Sequence, residues 1–131
     1  MSTYLVGTTT SSIRFHFDLT TIGLAASRAV LYDETNDNPV SVGTSVDATG
    51  DITWKTLVNA NLPGRILTVL CKVDFSLLGD EKTRKKEFEK LKAVCGLDDG
   101  EEGSKRIDQP DHKIAADDFS VAHIYFIIHL Q

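Results

Sequence analysis

Apolar and polar residues alternate with period two along much of this chain, and the strands this predicts dominate its organisation. Residues 13–19 are the clearest case. Ile13, Phe15, Phe17 and Leu19 fall on one side and Arg14, His16 and Asp18 on the other, the pattern of an antiparallel strand with one face in a core. Residues 120–130 read as a longer strand that is apolar on both faces. Ala122, Ile124, Phe126, Ile128 and Leu130 lie on one, His123, Tyr125, Ile127 and His129 on the other. A second apolar face calls for a cover, from elsewhere in the chain or from a second subunit.

Further strands are predicted at 28–32, at 40–46 through Val40, Val42, Thr44 and Val46, and at 52–57, where Ile52 and Trp54 share a face. Residues 3–6 suit a short edge strand before Gly7. The polar cluster 33–39, the turn 47–50 and the loop 59–64 with Pro63 and Gly64 punctuate them. Residues 65–75 form a β-rich stretch placed centrally, with Leu67, Val69, Cys71, Val73 and Phe75 on one face.

The period changes once. Asp80 suits an N-cap and Gly96 a C′ position, which predicts a helix over 81–95 with Phe88, Leu91, Val94 and Cys95 as its apolar stripe. Its basic residues Lys82, Arg84, Lys85, Lys86, Lys90 and Lys92 are interleaved with Glu81, Glu87 and Glu89, as on a solvated helix. Residues 97–118 then read as a long acidic loop, mobile in part. Together these elements predict a single domain over 1–131, a mainly β fold. It is an antiparallel β-sandwich of about seven strands, with one helix inserted before the C-terminal strand. The helix stripe or a second subunit would cover the His123, Tyr125, Ile127, His129 face.

Composition narrows the function classes. A formal net charge of −5 disfavours nucleic acid, which binds basic surfaces through its phosphates. No apolar run approaches a membrane span and residues 1–7 have no signal-peptide pattern, so the expectation is a cytoplasmic protein without a membrane partner. Cys71 and Cys95, twenty-four residues apart, match no metal or redox spacing and read as reduced, buried thiols.

Candidate chemistry is sparse. There is no phosphate-binding glycine loop and no nucleophile elbow, so no catalytic residue and no cofactor is assigned. His123 and His129 lie six residues apart, about 20 Å along a strand at roughly 3.3 Å per residue, too far to share a metal. His16 and the carboxylates Asp98, Asp99, Glu101 and Glu102 are the remaining ligand candidates. The carboxylate spacing is not that of an EF-hand loop, and no metal is assigned.

Residues 28–40, a strand running into a polar turn that ends in Pro39 and Val40, followed by 44–54 with a Thr-x-x-Asp-x-x-Gly-like turn before Trp54, resemble the second and third strands of prealbumin-like, transthyretin-like β-sandwiches. The resemblance covers residues 28–57 and implies the sandwich fold. The terminal tetrapeptide of the hydroxyisourate hydrolases in that group is absent, so their activity is not implied. The expectation is a non-enzymatic binding or structural module that self-associates or meets a protein partner. Its candidate interface is His123, Tyr125, Ile127 and His129. A sandwich that binds a small ligand or metal is the alternative, and an enzyme of unrecognised type is the third reading.

Overall fold

The computed structural model describes residues 1–33 and 39–131. The middle of the predicted turn cluster, 34–38, lies outside the described residues. Ten strands and one helix follow in chain order: β1 (Ser2–Tyr4), β2 (Ser12–Thr20), β3 (Leu24–Tyr32), β4 (Val40–Thr44), β5 (Ile52–Val58), β6 (Ile66–Asp74), α1 (Glu81–Lys90), β7 (Lys92–Asp98), β8 (Lys105–Ile107), β9 (His112–Ala115) and β10 (Val121–Leu130). The fold is mainly β, with more strands than the seven or so expected.

The strands form two sheets. Sheet A runs β1-β10-β6-β3-β4, with β9 also on β10; sheet B runs β5-β2-β7-β8. The central place expected for residues 65–75 is observed, since β6 is paired on both sides. All pairings between named strands are antiparallel except that of β1 with β10, which is parallel. β9 and β1 divide one edge of β10 between them, at residues 122–125 and 128–130.

Period-two burial builds the core as predicted. Ile13, Phe15, Phe17 and Leu19 of β2, Leu67, Val69, Cys71 and Val73 of β6, and the even-numbered residues of β10 join one buried cluster spanning both sheets. Phe17 of sheet B meets Phe126 of sheet A edge to face at 5.9 Å. Burying each such aromatic contributes about 1.5–3 kcal/mol by transfer alone.

Four expectations need correction. The helix stops at Lys90 instead of reaching Cys95. Ala93, Cys95 and Leu97 turn inward at period two, and β7 pairs with both β2 and β8, so sheet pairing overrides the helical spacing of Leu91, Val94 and Cys95. Gly96 is therefore a mid-strand residue and not a helix cap. Residues 97–118 are not one loop but contain the end of β7 and the strands β8 and β9, so three strands separate α1 from β10. Finally, Ile52 and Trp54 do not share a face. Ile52 pairs with Phe17 and Lys55 with Phe15, which sets two residues of β5 against His16 alone; this bulge turns Trp54 outward, 47% exposed, while Ile52 stays buried.

Candidate functional site

Two outward regions carry the sequence candidates. The first is the outer face of sheet A. The odd-numbered residues of β10 lie there, and the register sets His123 beside Lys72, Tyr125 beside Leu70, Ile127 beside Thr68 and His129 beside Ile66. On the other edge β9 places His112 beside Tyr125 and Ile114 beside His123. The Tyr125 ring is stacked on His123 at 6.3 Å with an interplanar angle of 11°, and meets His112 edge-on at 6.1 Å. A shallow depression of about 490 Å³ opens next to them, with Ala26, Arg28, Leu70 and Lys72 among its walls. His123, Tyr125, Ile127 and His129 are thus brought to one face.

That face is not covered by the helix stripe. No residue of α1 is buried; its Phe88 ring meets Phe119 at 5.7 Å and the ammonium of Lys113 at 4.9 Å. Leu91 belongs to the core and Val94 to β7. The second face of β10 therefore stays half-buried to exposed, as does Ile114 at 55%.

The second region is the outer side of sheet B. His16, Gly96 and Arg106 form one cross-strand row. The imidazole of His16 lies across Gly96 so closely that a Cβ there would stand 2.0 Å from Nε2, and its Nδ1 is 3.2 Å from Asp18 Oδ2. Trp54, re-aimed by the bulge, packs against this ring at 4.3 Å and carries the Arg14 guanidinium over its own face at 4.6 Å. Beyond the end of β8 a groove of about 1060 Å³ opens along β7, with His16, Trp54, Lys92, Val94, Arg106 and Pro110 among its lining. Sequence reasoning singled out His16 but missed Trp54, Gly96 and Arg106. The alternation of Ala93, Cys95 and Leu97 was the signal that would have placed Gly96 in a strand.

Three of the four acidic ligand candidates, Asp98, Asp99 and Glu102, have their carboxylates engaged within the fold. Asp99 takes a left-handed backbone, φ 72°, and accepts from Arg14 Nε at 2.6 Å, while Asp98 accepts from Arg14 Nη2 at 3.3 Å. Glu102 accepts the Leu5 amide hydrogen at 2.9 Å and pairs with Lys105 at 3.1 Å; the backbone amide of Glu101 donates to the Val6 carbonyl. The amide of Asp99, the Ser104 hydroxyl and Arg14 together hold Asp98 below the usual carboxylate range, and the Leu5 amide with Lys105 does the same for Glu102. Asp98 does line the groove with His16, but Asp99, Glu101 and Glu102 are not among its walls. Among the described residues no three His, Cys, Asp or Glu side chains gather into a metal-holding group.

Both thiols are free and buried on the inner faces, Cys71 in β6 and Cys95 in β7. Burial pushes Cys71 up and Cys95 up to about 12, the opposite of an activated nucleophile. No helix among the described residues is long and apolar enough to cross a membrane. Compared with known proteins, the chain matches no family model, no curated protein and no solved structure.

Proposed function

We propose that the protein is a non-enzymatic interaction module, a β-sandwich of prealbumin-like kind that self-associates through the outer face of sheet A. One observation carries the reading: the odd-numbered face of β10 keeps Tyr125, Ile127 and the neighbouring Leu70 and Ile114 at an outward surface that α1 leaves uncovered. Extent supports it too. Three strands about 4.8 Å apart and about 30 Å long, β3, β6 and β10, with the shorter β4, β9 and β1 at the edges, offer a footprint of roughly 600 Å², of the same order as the roughly 800 Å² per partner of a standard interface. The face also carries both signs of charge, Arg28 and Lys72 against Asp74, so a second copy related by a two-fold axis meets complementary groups. The sandwich reading is supported by the single core shared by both sheets and by the 47–50 turn, where Gly50 takes φ 78°.

Native mass spectrometry of wild type and Tyr125→Asp tests the association. The expectation is a discrete oligomer for wild type and a dissociation constant raised by about thirty-fold or more in the variant, as for a central aromatic hot spot, with the β-sheet circular dichroism spectrum unchanged. A wild type that stays monomeric at high concentration overturns the reading.

A further inference from the structure

The groove beside β7 lies on the other sheet from the association face, and what it takes can be argued independently. β8 pairs with β7 only through Cys95, Gly96 and Leu97, so residues 92–94 have β2 on one side and the groove on the other. Two cations at its rim are uncommitted. Arg106 and Lys92 form no ion pair among the described residues, whereas of the other two cations in the lining Lys105 meets Glu102 and Lys113 donates to the Leu91 carbonyl and lies over the Phe88 ring. Of the rim carboxylates, Asp98 is taken by Arg14 and Asp18 faces His16, leaving Asp108 as the acidic group without an ion pair.

His16 supplies the directional element. Its side chain is 20% exposed and fixed from two sides, by Asp18 at Nδ1 and by the Trp54 ring. A carboxylate at Nδ1 selects the tautomer that carries the proton there, so the neutral ring offers Nε2 as a bare acceptor. That atom lies over Gly96, on the row that continues to Arg106. Arg106 is exposed and lines the groove together with Lys92, which stands four residues from Gly96 along β7, about 13 Å at roughly 3.3 Å per residue. One aromatic ring with a polar group at each end, about 12 Å long once a hydrogen bond is added at either end, matches a groove that has an acceptor over Gly96 and a cation about that far along β7. Val94, Pro110 and Trp54 give such a ring apolar walls.

We propose that this groove binds a small aromatic carboxylate that also carries a ring hydrogen-bond donor. Arg106, assisted by Lys92, holds the carboxylate, and His16 Nε2 accepts from the donor at the other end. Trp54 is the chain's single tryptophan, so its emission reports on the site without a label.

The probe is 4-hydroxyphenylacetate, titrated while Trp54 fluorescence is followed. Tyramine, phenylacetate and inorganic phosphate serve as comparisons. A saturable change is expected for 4-hydroxyphenylacetate, with binding about ten-fold weaker for tyramine, which reverses the charge, and for phenylacetate, which lacks the donor. Arg106→Ala, on a short exposed strand, should weaken 4-hydroxyphenylacetate about ten-fold with no change in melting temperature. His16→Phe should erase the preference over phenylacetate. Tyr125→Asp should leave all of these values unchanged, which separates this site from the association face. Equal responses to tyramine and 4-hydroxyphenylacetate, displacement by phosphate at similar concentration, or no saturable change with any probe each overturn the proposal.

Discussion

At Gly96 the absence of a side chain decides the geometry of a neighbour. An alanine there puts a methyl group 2.0 Å from His16 Nε2, so the imidazole must leave its place against Trp54. Gly96→Ala is therefore expected to cost about 1–3 kcal/mol, as overpacking usually does, and to shift Trp54 emission, both read from a fluorescence-monitored melt. The thiols make the opposite case, side chains that are packed into the core. With Cys95 pushed up to about 12 and Cys71 also raised by burial, neither should react with a thiol reagent at neutral pH until the protein unfolds; fast labelling of the native protein would contradict this. His16 was legible in the sequence as an outward residue of a strongly alternating strand. Trp54 was not, because a bulge inserts one unpaired residue and reverses every face assignment beyond it, and nothing in the types Thr53 and Trp54 announces that extra residue.

Among the described elements, α1 is weakly anchored: none of its residues is buried, and unlike β4 and β9, which also bury none, it is not paired into a sheet. Asp80 caps it by accepting from the Lys82 amide at 3.3 Å and the Thr83 hydroxyl at 3.0 Å. Asp80→Ala is expected to cost about 1 kcal/mol of helix stability. The loss should appear as faster amide exchange in α1 while the global melting temperature moves little, because the core of the two sheets does not depend on the helix. The helix start was readable from Asp80, but its end was not. Phe88, Leu91, Val94 and Cys95 satisfy helical spacing and Ala93, Cys95 and Leu97 satisfy strand spacing in the same ten residues. Pairing with β2 and β8 resolves the ambiguity, and pairing partners far along the chain are invisible to a local pattern.

Across the whole molecule, the acidic segment after β7 acts as a strap. Its carboxylates reach back to Arg14 and to the Leu5 amide, tying residues 98–102 to the start of the chain. Asp98 and Glu102 have folded pKa values below their ordinary 3.8 and 4.5, so the stability they add is present in full above those values and is lost as pH falls through the lowered ones. Melting temperature is thus expected to be flat from neutral pH down to about 5 and to drop below about 4, measured by calorimetry across that range. Replacing Glu102 with Gln should blunt the drop. The two-sheet, mainly β organisation and the inward residues of β2, β6 and β10 were legible because period two persists across them. The groove was not, since it arises where β8 ends early beside β7.

The pairing of β10 with β6 has a kinetic consequence. Until residues 121–130 are synthesised, β6 can pair with β3 on one side and lacks a partner for the other, because the strand that seals it is β10. A nascent or stalled chain therefore displays an open β edge flanked by Leu67, Val69 and Val73, the kind of template on which like chains stack. Truncation after Ser120 should partition the protein into the insoluble fraction of a cell lysate, whereas the full chain stays in the supernatant. Completion of the sheet awaits a contact more than forty residues distant, so refolding from denaturant is expected on the millisecond-to-second scale of non-local β topologies.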